Sequence, residues 1–316
     1  MIELTTSLIK KRLRHVVKVN HIALILFGLL SFHATAQQNS DIWVGRLNLW
    51  EQNPITELVQ ITNTNSYSNQ PYFFDNSRLF YTQAIDSIES ESQIDVWLFD
   101  FKLGANKNIT QSVESEYSPT PIPNSKNMSV IRVNNEGKQE LWEINLQGKA
   151  IKNIAQEIEP VGYQVWINNN ELLLFVLGEP NSLQRVDVIT PNISAKTIDT
   201  NIGASLYRFE KTDWYMYTST SDGNYLNAYN VKTNKIIQIV SMPKNSEYFS
   251  VSPIGHVFTS DGTTLWQRKF MLKGEKIKAM DKWLPIKIKH TECAKGISRT
   301  AISPDTSMIA LVCPRV

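Results

Sequence analysis

The stretch SEYSPTPIPNSKNMSVIRV, from Ser115 to Val133, decides the fold. It opens on a tyrosine-led polar bend, turns at Pro123-Asn124-Ser125-Lys126 and ends in the β-branched run around Val130 and Ile131. A similar passage, SYSNQPYFFDNSRLFYTQA, runs from Ser66 to Ala84, about 50 residues upstream. Self-similarity at such a period marks a repeat architecture. Four further copies follow: VGYQVWINNNELLLFVL (Val161 to Leu177), SLYRFEKTDWYMYTS (Ser205 to Ser219), SEYFSVSPIGHVFTS (Ser246 to Ser260) and ISRTAISPDTSMIALVC (Ile297 to Cys313). Each reads as two strands around a tight turn, because short β-branched or alternating runs are bounded by Asn, Asp, Gly, Pro and Ser.

A second hairpin type alternates with the first. It opens with DIWVGRL (Asp41 to Leu47), DVWLFDF (Asp95 to Phe101), ELWEINL (Glu140 to Leu146), SLQRVDV (Ser182 to Val188), YLNAYNV (Tyr225 to Val231) or TLWQRKF (Thr264 to Phe270). A short turn and a further β run follow each, as in ELVQIT, NKNIT, AIKNIA, AKTID, KIIQIV and EKIKAM. Turn centres of the first type fall near Asp75, Asn124, Asn169, Thr212, Ile254 and Asp305, roughly 42 to 51 residues apart. Four strands per period of this length is the signature of a propeller blade. The expected fold is therefore all-β, a six-bladed β-propeller over 37–316.

The order of the hairpins predicts how the ring closes. The repeats begin with a second-type hairpin (Asp41 to Thr62) and end with a first-type hairpin (Ile297 to Cys313). Pairing these halves builds the last blade and removes two exposed sheet edges. Trp43, Trp97, Trp142 and Trp266 recur at one place in the second-type hairpins. They are expected to pack blade on blade, since buried indoles contribute about 150–250 Å² each.

Residues 1–36 stand apart. Lys10, Lys11, Arg12, Arg14 and Lys18 precede an apolar run from Ile22 to Phe32 and then Ala34-Thr35-Ala36. This is the pattern of a secretory signal peptide cleaved after Ala36. The apolar run is shorter than the ~20 residues that a membrane span needs, so no span is expected in the mature chain. Without the leader, 27 basic residues face 29 acidic ones. No basic stripe suits nucleic acid. Cys293 and Cys313 are the two cysteines; an oxidising compartment permits a disulfide between them, with two buried thiols as the alternative.

The runs DVWLFDFKLGANKNIT and ELWEINLQGKAIKNIA, with SPDTSMIALV (Ser303 to Val312), resemble the repeats of TolB-like propellers. In the last, Thr306 stands where the family pattern S-P-D-G-x-x-I-A carries glycine. The resemblance implies a six-bladed exported bacterial propeller. It does not extend to the N-terminal α/β domain of TolB, for which no room is expected before Asp41. Nor does it extend to the hydrolase domain that related propellers cover in prolyl-oligopeptidase-type enzymes, because Gly-x-Ser-x-Gly is absent from the sequence.

Signals for chemistry are sparse. His256 and His290 are the two histidines after the leader, and neither a metal-ligand spacing nor a catalytic triad can be read from them. His256, in an apolar strand, is read as a hydrogen-bonded strand residue. No catalytic residue, metal or cofactor is therefore assigned. The recurring feature is a set of side chains before the innermost strands: Tyr67, Tyr117, Tyr163, Tyr207 and Tyr248, with Arg299 in the sixth copy. Such residues would crowd one mouth of the channel and form a binding funnel, joined there by Arg208, Glu116 and Glu179. The competing expectation is that each tyrosine wedges its own blade against the next. The resulting reading is a non-catalytic, monomeric, periplasmic or secreted module that binds an envelope or extracellular protein, peptide or glycan. A hydrolase or lyase using rim carboxylates, with or without a divalent metal, is the alternative.

Overall fold

A computed structural model describes residues 39–85, 93–189, 195–209, 211–290 and 292–315. The predicted leader lies outside these residues. The described strands form six antiparallel sheets. Blade one holds β3 (Ser68–Asp75), β4 (Arg78–Ile85), β5 (Gln93–Asp100) and β6 (Ala105–Asn108), and blade two β7 (Ser115–Pro121), β8 (Met128–Val133), β9 (Gln139–Ile144) and β10 (Ala150–Asn153). Blade three is β11 (Val161–Trp166), β12 (Glu171–Val176), β13 (Ser182–Asp187) and β14 (Ala195–Thr200). Blade four is β15 (Ile202–Arg208), β16 (Trp214–Ser219), β17 (Tyr225–Asn230) and β18 (Lys235–Ser241). Blade five has β19 (Phe249–Val251), β20 (His256–Ser260), β21 (Leu265–Lys273), β22 (Lys276–Ala279) and β23 (Leu284–Ile286).

Blade six joins the first and last strands in the order β2-β1-β25-β24: β1 (Ser40–Leu47), β2 (Ile55–Gln60), β24 (Arg299–Ile302) and β25 (Met308–Pro314). Ile42 faces Val312 and Val44 faces Ala310 across this join. Polar groups reinforce it. The Arg315 amide donates to the Asn39 carbonyl at 2.9 Å, and the Arg315 guanidinium lies 3.4 Å from the buried Asp41 carboxylate. Cys293 and Cys313 are joined by a disulfide, which ties the approach to β24 onto β25.

The repeated residues have repeated work. In blade six Asp41 accepts from Gln60 Nε2, and the Thr62 hydroxyl accepts the Ile42 amide at 2.8 Å. In blade one Asp95 accepts from Asn108 Nδ2, and the Thr110 hydroxyl accepts the Val96 amide at 3.0 Å. These bonds satisfy backbone donors that the ladder leaves unpaired at the sheet corner. The similar D-I-W…I-T and D-V-W…I-T spacings are thus a hydrogen-bonding unit.

Six apolar clusters hold the ring, one at each seam between neighbouring blades. Ile131 and Leu141 of blade two meet Leu172 and Leu174 of blade three, and Met216 and Leu226 meet Val257 and Phe270 between blades four and five. The seams beside the joined blade are as dry as the rest: Ile42, Ala310 and Val312 pack on Leu79 and Tyr81, and Ile309 and Leu311 on Phe258 and Leu265. The innermost strands neighbour one another in the circular order β3, β7, β11, β15, β19, β24 and back to β3.

Two details depart from the sequence reading. The outer strand of blade five is divided, because β21 pairs β22 over its far half and β23 over its near half. A single outer strand at EKIKAM was expected. The four tryptophans are only half-buried. Trp43, Trp97 and Trp142 do pack against seam clusters, whereas Trp266 directs its Nε1 to Asp261 at 2.9 Å. The amides of Thr263 and Thr264 converge on the same carboxylate.

Candidate functional site

The inner strands enclose a cavity of about 640 Å³. Its wall is largely apolar and includes Pro119, Pro121, Val165, Trp166 and Phe249. The turns that follow the innermost strands, with Pro123, Lys211, Ile254 and Asp305, stand at its open end. Ile254 is 48% exposed there. Gly255 completes that turn in blade five at φ +86, and a Cβ on it would lie 2.5 Å from the Phe270 carbonyl, so only glycine fits.

The end away from these turns, its floor, is lined by Tyr163, Tyr207, Tyr248 and Arg299 of the predicted set. Arg299, the first residue of β24, crosses the channel from blade six to blade three, where its Nη2 donates to the Tyr163 hydroxyl at 2.6 Å. The guanidinium lies 3.5 Å from the ring centroid of Tyr248, a flat cation–π contact. Gln70 of blade one also donates to the Tyr163 hydroxyl, at 3.4 Å, and its Oε1 receives the Ser118 amide at 2.7 Å. Gln70 and Ser118 both have positive φ, at 51° and 53°, where their inner strands bulge. The bulges place a blade-one side chain and a blade-two backbone donor in one plane across the channel.

Electrostatics follow from this crowding. Burial pushes the Tyr207 phenol up to about 12, with Arg299 pulling the other way. Burial raises Tyr67 and Tyr248 as well, against the same opposing guanidinium. For Arg299 burial alone would disfavour the charge, but Tyr163, Tyr248 and Tyr67 more than offset it and hold the group cationic.

The predicted residues therefore divide. Tyr163, Tyr207, Tyr248 and Arg299 line the cavity. Tyr67 interacts electrostatically with Arg299, Tyr163 and Tyr117 from behind that floor and is not among the lining residues. Tyr117 packs against the seam of blades two and three, which is the wedge arrangement. Tyr207 does both, stacking on Phe249 of blade five at 5.4 Å. Arg208 stands in the cavity wall but turns its Nε back to the Thr212 carbonyl at 2.9 Å.

The two acids are elsewhere. Glu116 is fully buried within blade two and bonded to Arg132 at 3.0 Å and to Ser112. Burial raises its carboxyl, with Ser112 and Arg132 opposing. The alternation along β7 turns it away from the channel side of its neighbour Tyr117. Glu179 is exposed in the turn between β12 and β13 and does not reach the cavity. Among the described residues the one carboxylate in the cavity wall is Asp305, which is bonded by Ser303 Oγ and by the amide and hydroxyl of Ser307. A glycosidase-type mechanism needs two facing carboxyl groups, and the cavity does not bring two together. Among the described residues no group of three His, Cys, Asp or Glu is placed to hold a metal ion, and no helix is long and apolar enough to cross a membrane. The His256 side chain is hydrogen-bonded to Gln267, while its Nδ1 is buried without a partner among the described residues.

Sequence reasoning missed Gln70, Ser118, Lys211 and the wall prolines. The prolines carried a readable signal, since proline is tolerated in a strand only where no ladder donor is needed, which includes the channel-facing edge of an inner strand.

No protein-family model and no curated protein matches the sequence. Solved structures do match in shape. A structure described as TolB from Agrobacterium tumefaciens superposes with a TM-score of 0.63 at 10% identity, covering 88% of this chain and 99% of the other. TolB from Acinetobacter baumannii gives a TM-score of 0.52 at 13% identity over 86% of this chain, which spans 63% of that protein. In fold, this chain is a TolB-like six-bladed β-propeller.

Proposed function

We propose that this chain is an exported, non-catalytic binding or scaffold module that holds part of an envelope or extracellular protein, peptide or glycan in its central cavity. The observation that carries this reading is the cavity itself. It has about 640 Å³ of space, an apolar wall and a floor of phenols around one guanidinium. Ligand sites have this composition: mostly apolar lining with a few convergent polar groups, and about 300–1,000 Å³ of volume. The TolB-like fold supports the same reading, as does the leader-like sequence of 1–36, which argues for the periplasm or beyond.

The test uses a photo-crosslinking residue placed at Ile254, on the open end of the cavity, and at Val59, which is 61% exposed on the outer strand of blade six. Exposure to envelope extracts and culture medium should give defined adducts from position 254 and none from position 59. Equal labelling at both positions, or none at position 254, would reject the cavity as the binding site.

A further inference from the structure

We infer that the cavity floor is a carboxylate-binding site in which the Arg299 guanidinium and the Tyr163 hydroxyl together receive one anionic end of an otherwise apolar ligand; this rests on the cavity being the binding site. The first observation is the missing counter-charge. Arg299 is half-buried at the cavity, and among the described residues no carboxylate forms an ion pair with it. Glu247 approaches the hydroxyl of Tyr248, not the guanidinium. A partly desolvated cation without an anion is poised to take one.

The second observation is unused donor capacity. A guanidinium has five N–H donors in a planar fork. One of its Nη2 hydrogens goes to Tyr163, and among the described residues no other acceptor takes a hydrogen bond from Arg299. Tyr163 oxygen accepts from both Arg299 and Gln70, so its own proton is free to be donated, and no described residue accepts it. The fork and the hydroxyl border the same space, since both residues line the cavity. Two convergent donors of this kind match the two oxygens of a carboxylate.

The third observation is the field along the approach. Among the described residues Arg208 and Lys211 stand in the cavity wall with Arg299, against the one carboxylate of Asp305. Low-dielectric walls focus such a positive bias and draw an anion inward. One guanidinium beside neutral phenols suits a monoanion. A phosphate dianion would demand more cationic partners than the floor contains. The apolar wall around Val165, Trp166 and Phe249 then takes an apolar or aromatic body attached to that carboxylate.

Calorimetric titration of the whole protein with three probes tests this: acetyl-Ala-Pro-Phe as the free acid, the same peptide as its C-terminal amide, and phenylacetate. The free acid should bind at least tenfold more tightly than the amide. Binding of phenylacetate as well would indicate a small carboxylic acid as sufficient, and its failure would indicate a peptide C-terminus; either supports the carboxylate site. Arg299→Gln should bring the acid down to the amide's affinity, and Tyr163→Phe, which keeps the ring that packs near Phe175, should weaken the acid severalfold and leave the amide unchanged. Equal affinity for acid and amide, no binding of either acid, or an acid preference undiminished in a folded Tyr163→Phe protein would overturn the inference. Adducts at position 254 in wild-type protein, together with any of those results, would leave cavity binding standing and remove only the anion site.

Discussion

At the seam between blades five and six, Phe258, Leu265, Ile309 and Leu311 are almost wholly excluded from solvent and touch only apolar neighbours. A short distance inward, Arg299 holds a charge against tyrosine rings with no carboxylate beside it. The first region obeys the rule for stable cores, where burying a large aliphatic side chain contributes about 1.5–3 kcal/mol. The second leaves a half-buried charge without an ionic partner, although desolvation favours pairing. A protein maintains such an exception where the site has a use other than stability. The seams hold the ring, and the ring holds an otherwise unfavourable centre in place.

The largest expected effect comes from opening the ring. Deleting 37–62 removes β1 and β2, and with them the partner of β25 from Met308 to Pro314. The remaining protein should aggregate or lose its cooperative melting transition, as followed by calorimetry and size-exclusion chromatography. A truncated protein that melts like the full chain would show that the joined blade does not close the structure. Next in size is a seam truncation. Leu311→Ala, at a fully buried position, should cost about 2–5 kcal/mol in chemical denaturation. A loss below about 1 kcal/mol would mean that the seam relaxes around the gap.

The channel floor should respond to pH in a way that the seams do not. Tyr207 is raised to about 12 by burial, against an ordinary value near 10. The unfolded chain therefore begins to ionise at about pH 10 while the folded protein keeps this proton. The contribution is fully present below that pH and is lost as pH rises through about 12. Stability measured by denaturant titration should fall over this interval, and Tyr207→Phe should flatten the fall. An unchanged slope in the variant would place the floor's phenols in solvent.

The smallest effect concerns a turn at the cavity's open end. Thr306 has φ +64, a left-handed conformation that a β-branched residue adopts only with strain of order 1–3 kcal/mol. Glycine relieves that strain but gives back about 0.4–1 kcal/mol through the unfolded chain. Thr306→Gly should thus raise thermal stability modestly, and a lower Tm would show that the threonine side chain makes a compensating contact.

Legibility tracked how local the information is. The turn at Ser303-Pro304-Asp305-Thr306 could be read because a proline, an Asx-type aspartate and a positive-φ position lie within four residues. The tyrosine series could be read because the repeat returns it to one place in successive blades. Two things could not be read in the same way. The split outer strand of blade five depends on β23 returning to pair with β21 across an intervening hairpin. The direction in which the cavity opens depends on how far the side chains at the strand entrances reach across the axis.

From the sequence alone came the number of blades and the pairing of first and last strands, because each is a matter of period and hydrogen-bonding pattern along the chain. Tertiary structure decided the rest. It sent Glu116 into a buried ion pair with Arg132 and left Glu179 in solvent. Those outcomes depend on distances between residues of different blades, such as Arg299 and Tyr163, and such distances are fixed only when six twisted sheets pack around a common axis.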